Sequence, residues 1–184
     1  MTKRYDLDPR HSRIGFVTKH MMVTNVRGQF ARFAGHVEVD ESDPGRLTAE
    51  VTVDTASIDT GVEDRDKHLR SGDFLESDTY PQMTFRATAA RAAGQRRHRV
   101  TGDLTIKGTT RPIELDVEVE GDPFQDPWGF ERVGISATGQ LSRKDWGLTW
   151  NQVLEAGRLL VADSVKLEIE AALVRKVEET TIAS

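Results

Sequence analysis

Ile113-Glu114-Leu115-Asp116-Val117-Glu118-Val119 places an apolar residue at every second position and a carboxylate at the next. Successive side chains of an extended strand point to opposite faces, so this stretch makes a strand with one greasy face and one acidic face. Just before it, Lys107-Gly108-Thr109-Thr110 supplies a turn whose glycine can adopt positive φ. Val100, Gly102, Leu104 and Ile106 alternate with polar neighbours on the other side of that turn, and Met83, Phe85 and Ala87 do the same one run earlier.

The same period continues outward in both directions. Toward the N-terminus it passes through Leu47, Ala49, Val51 and Val53, then Phe33, Gly35, Val37 and Val39, then Ile14, Phe16 and Thr18. Toward the C-terminus it passes through Val133, Ile135, Ala137, Gly139 and Leu141, then Val165, Leu167, Ile169, Ala171 and Leu173. Eight strands result, each with one apolar face, and no βαβ rhythm separates them. An antiparallel sheet follows. A sandwich and a closed barrel both satisfy period two; the barrel removes exposed edges and, at eight strands, can enclose one small ligand.

The period breaks at two places. Val62, Asp66 and Leu69 recur at helical spacing, with Asp59 or Thr60 available as N-cap and Gly72 placed to stop the chain, which predicts a short helix near residues 62–71. Asp122-Pro123-Phe124-Gln125-Asp126-Pro127-Trp128-Gly129 reads as a loop, either a lid of aromatics over one barrel end or a surface turn.

Composition removes several function classes. The 184 residues fit a single domain over 1–184 with a polar tail from about residue 175, large enough to hold its own core. There is no cysteine, which excludes thiolate catalysis and a disulfide framework. Twenty-five Lys and Arg against 30 Asp and Glu, a formal charge of -5 with the signs mixed, give no general attraction for nucleic acid. The basic run Gln95-Arg96-Arg97-His98-Arg99 reads as a solvated hairpin end or a local anion contact. Met1-Thr2-Lys3-Arg4-Tyr5 is not followed by a signal-peptide apolar run, and no stretch is long and apolar enough for a bilayer span, so the expectation is a soluble, cytoplasmic chain without a permanent membrane anchor.

Catalytic and metal constellations are sparse. Asp64 and His68 share a helix face at i,i+4, but two ligands fall short of the three or four that zinc takes, so no metal site is assigned. No Gly-x-Ser-x-Gly elbow occurs, and no catalytic residue is assigned. His20 continues the inward parity of Ile14, Phe16 and Thr18, which fits a packed core histidine or a contact to the polar end of a ligand. In Ser142-Arg143-Lys144-Asp145-Trp146-Gly147-Leu148-Thr149-Trp150-Asn151, the indoles supply buried area, while Arg143 and Asn151 offer directional contacts beside them.

Tyr5-Asp6-Leu7-Asp8-Pro9-Arg10-His11-Ser12-Arg13-Ile14-Gly15-Phe16, Lys19-His20-Met21, Gly28-Gln29-Phe30, Asp64-Arg65-Asp66-Lys67-His68-Leu69, Tyr80-Pro81-Gln82-Met83-Thr84-Phe85 and Gly102-Asp103-Leu104-Thr105-Ile106-Lys107-Gly108 occur in an order that resembles the YceI-like, polyisoprenoid-binding family. Ser142-Arg143-Lys144-Asp145-Trp146-Gly147 is similar to the family's Asn-Arg-x-Asp-Phe-Gly, with Ser142 and Trp146 as departures. The resemblance runs from about residue 5 to 174.

It implies an eight-stranded antiparallel lipocalin-like barrel that binds a long-chain apolar small molecule, such as an isoprenoid quinone or polyprenyl lipid, for storage, transport or presentation. No cofactor is required, and a homodimer is compatible. An enzyme modifying a related isoprenoid and a ligand-free structural or interaction module are the alternatives. Parity assigns the lining to Ile14, Phe16, Val37, Val51, Phe85, Leu104, Leu115, Val117, Ile135 and Val165. The polar end is assigned to His20, His68 and Arg143, with Asp64, Asp66, Arg65 or Arg143 as histidine partners where the ligand head is not.

Overall fold

Each alternating run lies on a strand of one sheet, in a computed structural model that describes residues 1–177. Of the polar tail expected from about residue 175, Arg175 and Lys176 belong to the last strand, and residues 178–184 lie outside the described residues. In chain order the strands are β1 (Thr2–Leu7), β2 (Arg13–His20), β3 (Thr24–Phe30), β4 (Phe33–Asp40), β5 (Asp43–Asp54), β6 (Ile58–Asp59), β7 (Gln82–Ala92), β8 (Arg97–Ile106), β9 (Thr109–Val119), β10 (Phe124–Gln125), β11 (Phe130–Ser142) and β12 (Val161–Lys176). The helix α1 (Glu63–Arg70) stands between β6 and β7.

Twelve segments reduce to eight strands because several are collinear halves. β1 and β2 both pair antiparallel with the same edge of β12, at Leu7↔Leu173 and Arg13↔Glu170, with a 3-10 turn at Pro9–His11 between them. Asp8 caps that turn through the Arg10 N–H at 3.1 Å, and the Ser12 hydroxyl accepts the Ala172 N–H at 2.9 Å, so the excursion stays tied to β12. On the other edge, β4 pairs with β1 and β3 with β2, and then β5 pairs with β4 and β6 with β3. From β5 the ring continues through β7, β8, β9 and β11, and β11 pairs with β12. The sheet closes in sequence order as an up-and-down barrel, which settles barrel against sandwich and leaves no long open edge in the ring.

One barrel end is packed shut. The long connections after β5 and β11 meet there and bury Phe30, Val53, Ile58, Phe74, Leu75, Met83, Ile106, Trp146 and Leu148 as one cluster. The Trp146 indole N–H donates to the Leu104 carbonyl at 2.9 Å, which satisfies its polar atom in an otherwise apolar plug. Leu69 of α1 packs against the same cluster.

The helix is shorter than the predicted 62–71, and its start differs. Val62 stands at the N-cap without a side-chain hydrogen bond. The cap residues work in the opposite sense: buried Asp66 reaches back and accepts from the Thr60 N–H at 2.9 Å and the Thr60 hydroxyl at 2.6 Å, while Asp59 accepts from the Gly61 N–H at 2.8 Å. Ser71, not Gly72, occupies the C-cap. Acidic Glu63, Asp64 and Asp66 in the first turn and basic Lys67, His68 and Arg70 in the last complement the helix dipole.

Candidate functional site: an apolar lumen

The inward faces of the strands enclose a cavity of about 600 Å³, inside the range of small-molecule sites. Every parity-assigned lining residue reaches it: Ile14 and Phe16 from β2, Val37 from β4, Val51 from β5, Phe85 from β7, Leu104 from β8, Leu115 and Val117 from β9, Ile135 from β11 and Val165 from β12. The wall is almost wholly apolar along its length. Two of its aromatic rings occupy the space beside a glycine on a neighbouring strand. Phe16 covers Gly28, where a Cβ would stand 2.3 Å from the ring, and Phe85 covers Gly102, where it would stand 2.4 Å away. The missing side chains let large rings lie along the wall, so the middle of the barrel stays open.

The two ends differ in chemistry. At the packed end the only charged wall residue among those described is Arg143, which is 5% exposed. Its guanidinium donates to three backbone carbonyls: Leu148 at 2.6 Å, Ala162 at 3.0 Å and Val161 at 3.4 Å. It also lies 5.8 Å from the centre of the Phe74 ring and 3.7 Å from the Asp163 carboxylate. Burial pushes its ionisation down from the ordinary arginine value and Asp163 opposes that shift. Asn151, the other directional group of the segment, is occupied with Val161, donating to its carbonyl at 2.7 Å and accepting its N–H at 3.1 Å.

At the opposite end the wall includes Lys3, Glu41, His98 and Pro123, which are half-buried or exposed, and the lumen meets solvent there. Lys3 pairs with Glu41 at 2.5 Å. Beside it, the buried Tyr5 phenol donates to Glu131, whose carboxylate also accepts from Arg175 at 3.0 Å. These hydrogen bonds from Arg175 and Tyr5 hold the Glu131 carboxyl below the usual glutamate value. Tyr5 opens the family-like run, but its link to Glu131 and Arg175 is not legible in the sequence, because the three converge only when β1, β11 and β12 are adjacent.

Both histidines stand away from the wall. His20 ends β2, half-buried and paired with Val161 across the strand, outside the lining. The strand ends where its inward parity would have carried it over the lumen. His68 bonds through Nε2 to Asp73 at 2.8 Å, a partner five residues on in the chain and not one of the candidates Asp64, Asp66 and Arg65, and its ring stands edge-on to Phe74 and Trp150 at 5.0 and 4.5 Å. It backs Phe74, which does face the lumen, and so supports the plug from outside. Among the described residues no three His, Asp or Glu side chains converge to hold a metal ion.

The remaining motifs also find places. Arg96, Arg97 and Arg99 of the basic run pair with Asp122, Glu118 and Asp116 at 3.1, 3.5 and 3.1 Å. Phe124 and Trp128 do not lid the barrel: they are 60% and 77% exposed, and only Pro123 of that loop reaches the lumen. No helix of the described residues is long and apolar enough to cross a membrane.

The model of the YceI-like domain matches residues 5–173. UPF0312 protein SA2479 of Staphylococcus aureus (strain N315) is 37% identical over 167 residues, covering 91% of this chain and 95% of its own length. Among solved structures, BcnA of Burkholderia cenocepacia is similar with a TM-score of 0.77 at 26% identity, over 92% of this chain and 99% of its own. The YceI protein of Campylobacter jejuni gives 0.73 at 29% identity, over 86% and 90%. A polyisoprenoid binding domain from Saccharophagus degradans shares the fold, with a TM-score of 0.64 at 17% identity over 92% and 97%.

Proposed function

The chain belongs to the YceI-like domain family, and from that premise we propose that it binds one long apolar lipid of isoprenoid type inside the barrel, unchanged chemically, to store, carry or present it. The observation that carries this reading is the lumen itself, about 600 Å³ walled by apolar side chains from every strand of the ring and plugged at one end. Water filling such a space lacks the two to four polar partners it needs, so an apolar guest displaces it favourably. Lining residues run along β12 from Val161 to Leu173, roughly 40 Å of strand, so the lumen follows the strands and suits an extended chain better than a compact one.

Each buried methylene contributes about 0.8 kcal/mol, against ordering costs that keep the total within ordinary affinity limits. Selectivity then comes from length and shape. The parity-assigned wall residues form the tail contacts, and the N–H groups of Arg143 not spent on carbonyls are the polar contact offered at the plugged end. His20 and His68 have no direct role in this reading. The polyisoprenoid binding domain from Saccharophagus degradans shares this barrel architecture, which makes an isoprenoid tail the first ligand class to test.

Organic extraction of protein purified without added lipid, followed by mass spectrometry, tests the proposal. A reproducible, stoichiometric apolar lipid, recovered at unchanged mass after incubation with the protein, is the expected result. Repeated absence across expression hosts, with no saturable uptake of a dansylated undecanoic acid, would overturn it. Time-dependent conversion of the recovered lipid would replace binding with turnover.

A further inference from the structure

We propose that the open end of the barrel docks on the surface of a lipid bilayer, with Trp128 and Phe124 as the side chains that enter it. This rests on the lipid-binding reading above, since an apolar guest has its reservoir in a membrane. The loop between β9 and β11 supplies the observation. Its Pro123 is part of the lumen wall, while Phe124 and Trp128 on the same loop point into solvent at 60% and 77% exposure.

Large aromatics left in water beside a greasy opening would gain by folding into it. A buried carboxylate prevents that here. Asp126 accepts the N–H of Trp128 at 2.9 Å and of Phe130 at 3.0 Å, and its second oxygen accepts from Arg132 Nε at 2.6 Å. Burial alone would raise the Asp126 carboxyl, but the hydrogen bonds from Phe130, Arg132 and Trp128 outweigh it and hold the group below its usual value. Arg132 is anchored in turn on Asp8 at 3.2 Å. Asp126 thus fixes the backbone at Trp128, and pairing of Phe124 with Arg132 across β10 and β11 fixes the other aromatic, so the loop presents both at the rim. Indole rings favour the membrane–water interface, where an apolar body and a polar N–H are both accommodated.

Charge does not supply the attraction. Three of the rim cations, Lys3, Arg96 and Arg175, are paired with Glu41, Asp122 and Glu131, and the chain as a whole carries a formal charge of -5. Docking of this kind depends little on anionic lipid or on salt. A second group of exposed apolar residues, Met21, Met22 and Val23, tops the β2–β3 hairpin. It lies at the plugged end, since the adjoining His20 pairs with Val161 at the start of β12 and Phe130 pairs with Lys176 at its finish. That group serves as a control.

Co-sedimentation with phosphatidylcholine vesicles, with and without phosphatidylglycerol and at low and high salt, tests the surface. Uptake of dansylated undecanoic acid without vesicles reports the lumen separately. The wild-type chain should sediment with vesicles of either composition at either salt. Trp128→Ser with Phe124→Ser should weaken partitioning about tenfold or more, the scale of withdrawing large apolar side chains from lipid. The same variant should keep probe uptake, and Met22→Ser with Val23→Ser should sediment like wild type. Wild-type failure to sediment, undiminished sedimentation of the aromatic variant, or loss only in the hairpin variant would overturn the docking surface. Sedimentation without probe uptake would overturn the lipid-binding reading and leave this surface in place.

Discussion

Replacing Gly28 by alanine adds a single methyl to the wall, and the structure dictates where the consequence falls. The new Cβ would stand 2.3 Å from Phe16 Cζ, 2.7 Å from Cε1 and 3.0 Å from Cε2. Carbon atoms settle at about 3.5–4.0 Å, so the ring must retreat by more than about 1 Å. Its way out is inward, since Gly28 on β3 is what it rests on. An off-rotamer ring costs about 0.5–1.5 kcal/mol, while alanine recovers about 0.5–1 kcal/mol over glycine in a strand. The unliganded stability therefore stays within about 1 kcal/mol of wild type. Binding changes more. If the tilted ring denies the guest about 50–100 Å² of wall, at about 25 cal/mol per Å² the affinity falls by roughly one to two orders of magnitude. Titration with dansylated undecanoic acid, alongside circular dichroism and urea unfolding, measures both quantities. Phe16→Leu added to Gly28→Ala should restore affinity, because the shorter side chain clears the new methyl. A native-like Gly28→Ala protein that binds as tightly as wild type would refute this account of the wall.

Leu115→Trp projects an indole from β9 into the lumen and should empty extracted protein of lipid, with a stability loss of about 1–3 kcal/mol from overpacking; occupancy is read by mass spectrometry on protein with native-like circular dichroism. Arg143→Met keeps much of the side-chain bulk but strands the carbonyls of Leu148, Ala162 and Val161; each costs about 1–3 kcal/mol when left unpaired and dry, and a fall in the urea midpoint is expected whether or not lipid is present. Glu131 has a folded-state carboxyl held below its ordinary value, so it contributes stability that is present above the unfolded-state value and is lost as pH falls through the lower folded one. Urea midpoints across an acid series should drop through and below the ordinary glutamate range, and Glu131→Gln should remove part of that dependence.

Parity made most of the wall legible. An inward residue on a one-faced strand must be apolar; the run through Leu115 obeys that rule in unbroken register, and the run from Val165 starts just past the register shift between Val161 and Val165. β1 and β3 escaped notice for the same reason. β1 offers Lys3, Tyr5 and Leu7 in its inward places, and β3 offers Gly28 where an apolar side chain would mark the strand. Closure was not encoded in the period at all; it depends on β12 accepting β1 and β2 on one edge and β11 on the other. The polar end was legible only in part: Arg143 reaches the wall, whereas the two histidines depend on turns of the chain that local spacing does not show. His20 continues its strand's parity to a point beyond the lumen, and His68 meets Asp73 because the chain turns back after α1, which helical spacing does not show.

The register of β12 also governs when the molecule can exist during synthesis. Thr18 and Ser164 touch across a separation of 146 residues, so β2 has no partner on that edge until the last strand has left the ribosome. Until then the nascent sheet exposes an unpaired strand and an open apolar trough, the surfaces on which chains aggregate. Contacts of such long range are slow to form because loop closure must precede them. A stop codon before Val161 therefore removes more than one strand: it leaves a sheet that cannot shut, and expression of such a truncation should partition into the insoluble fraction.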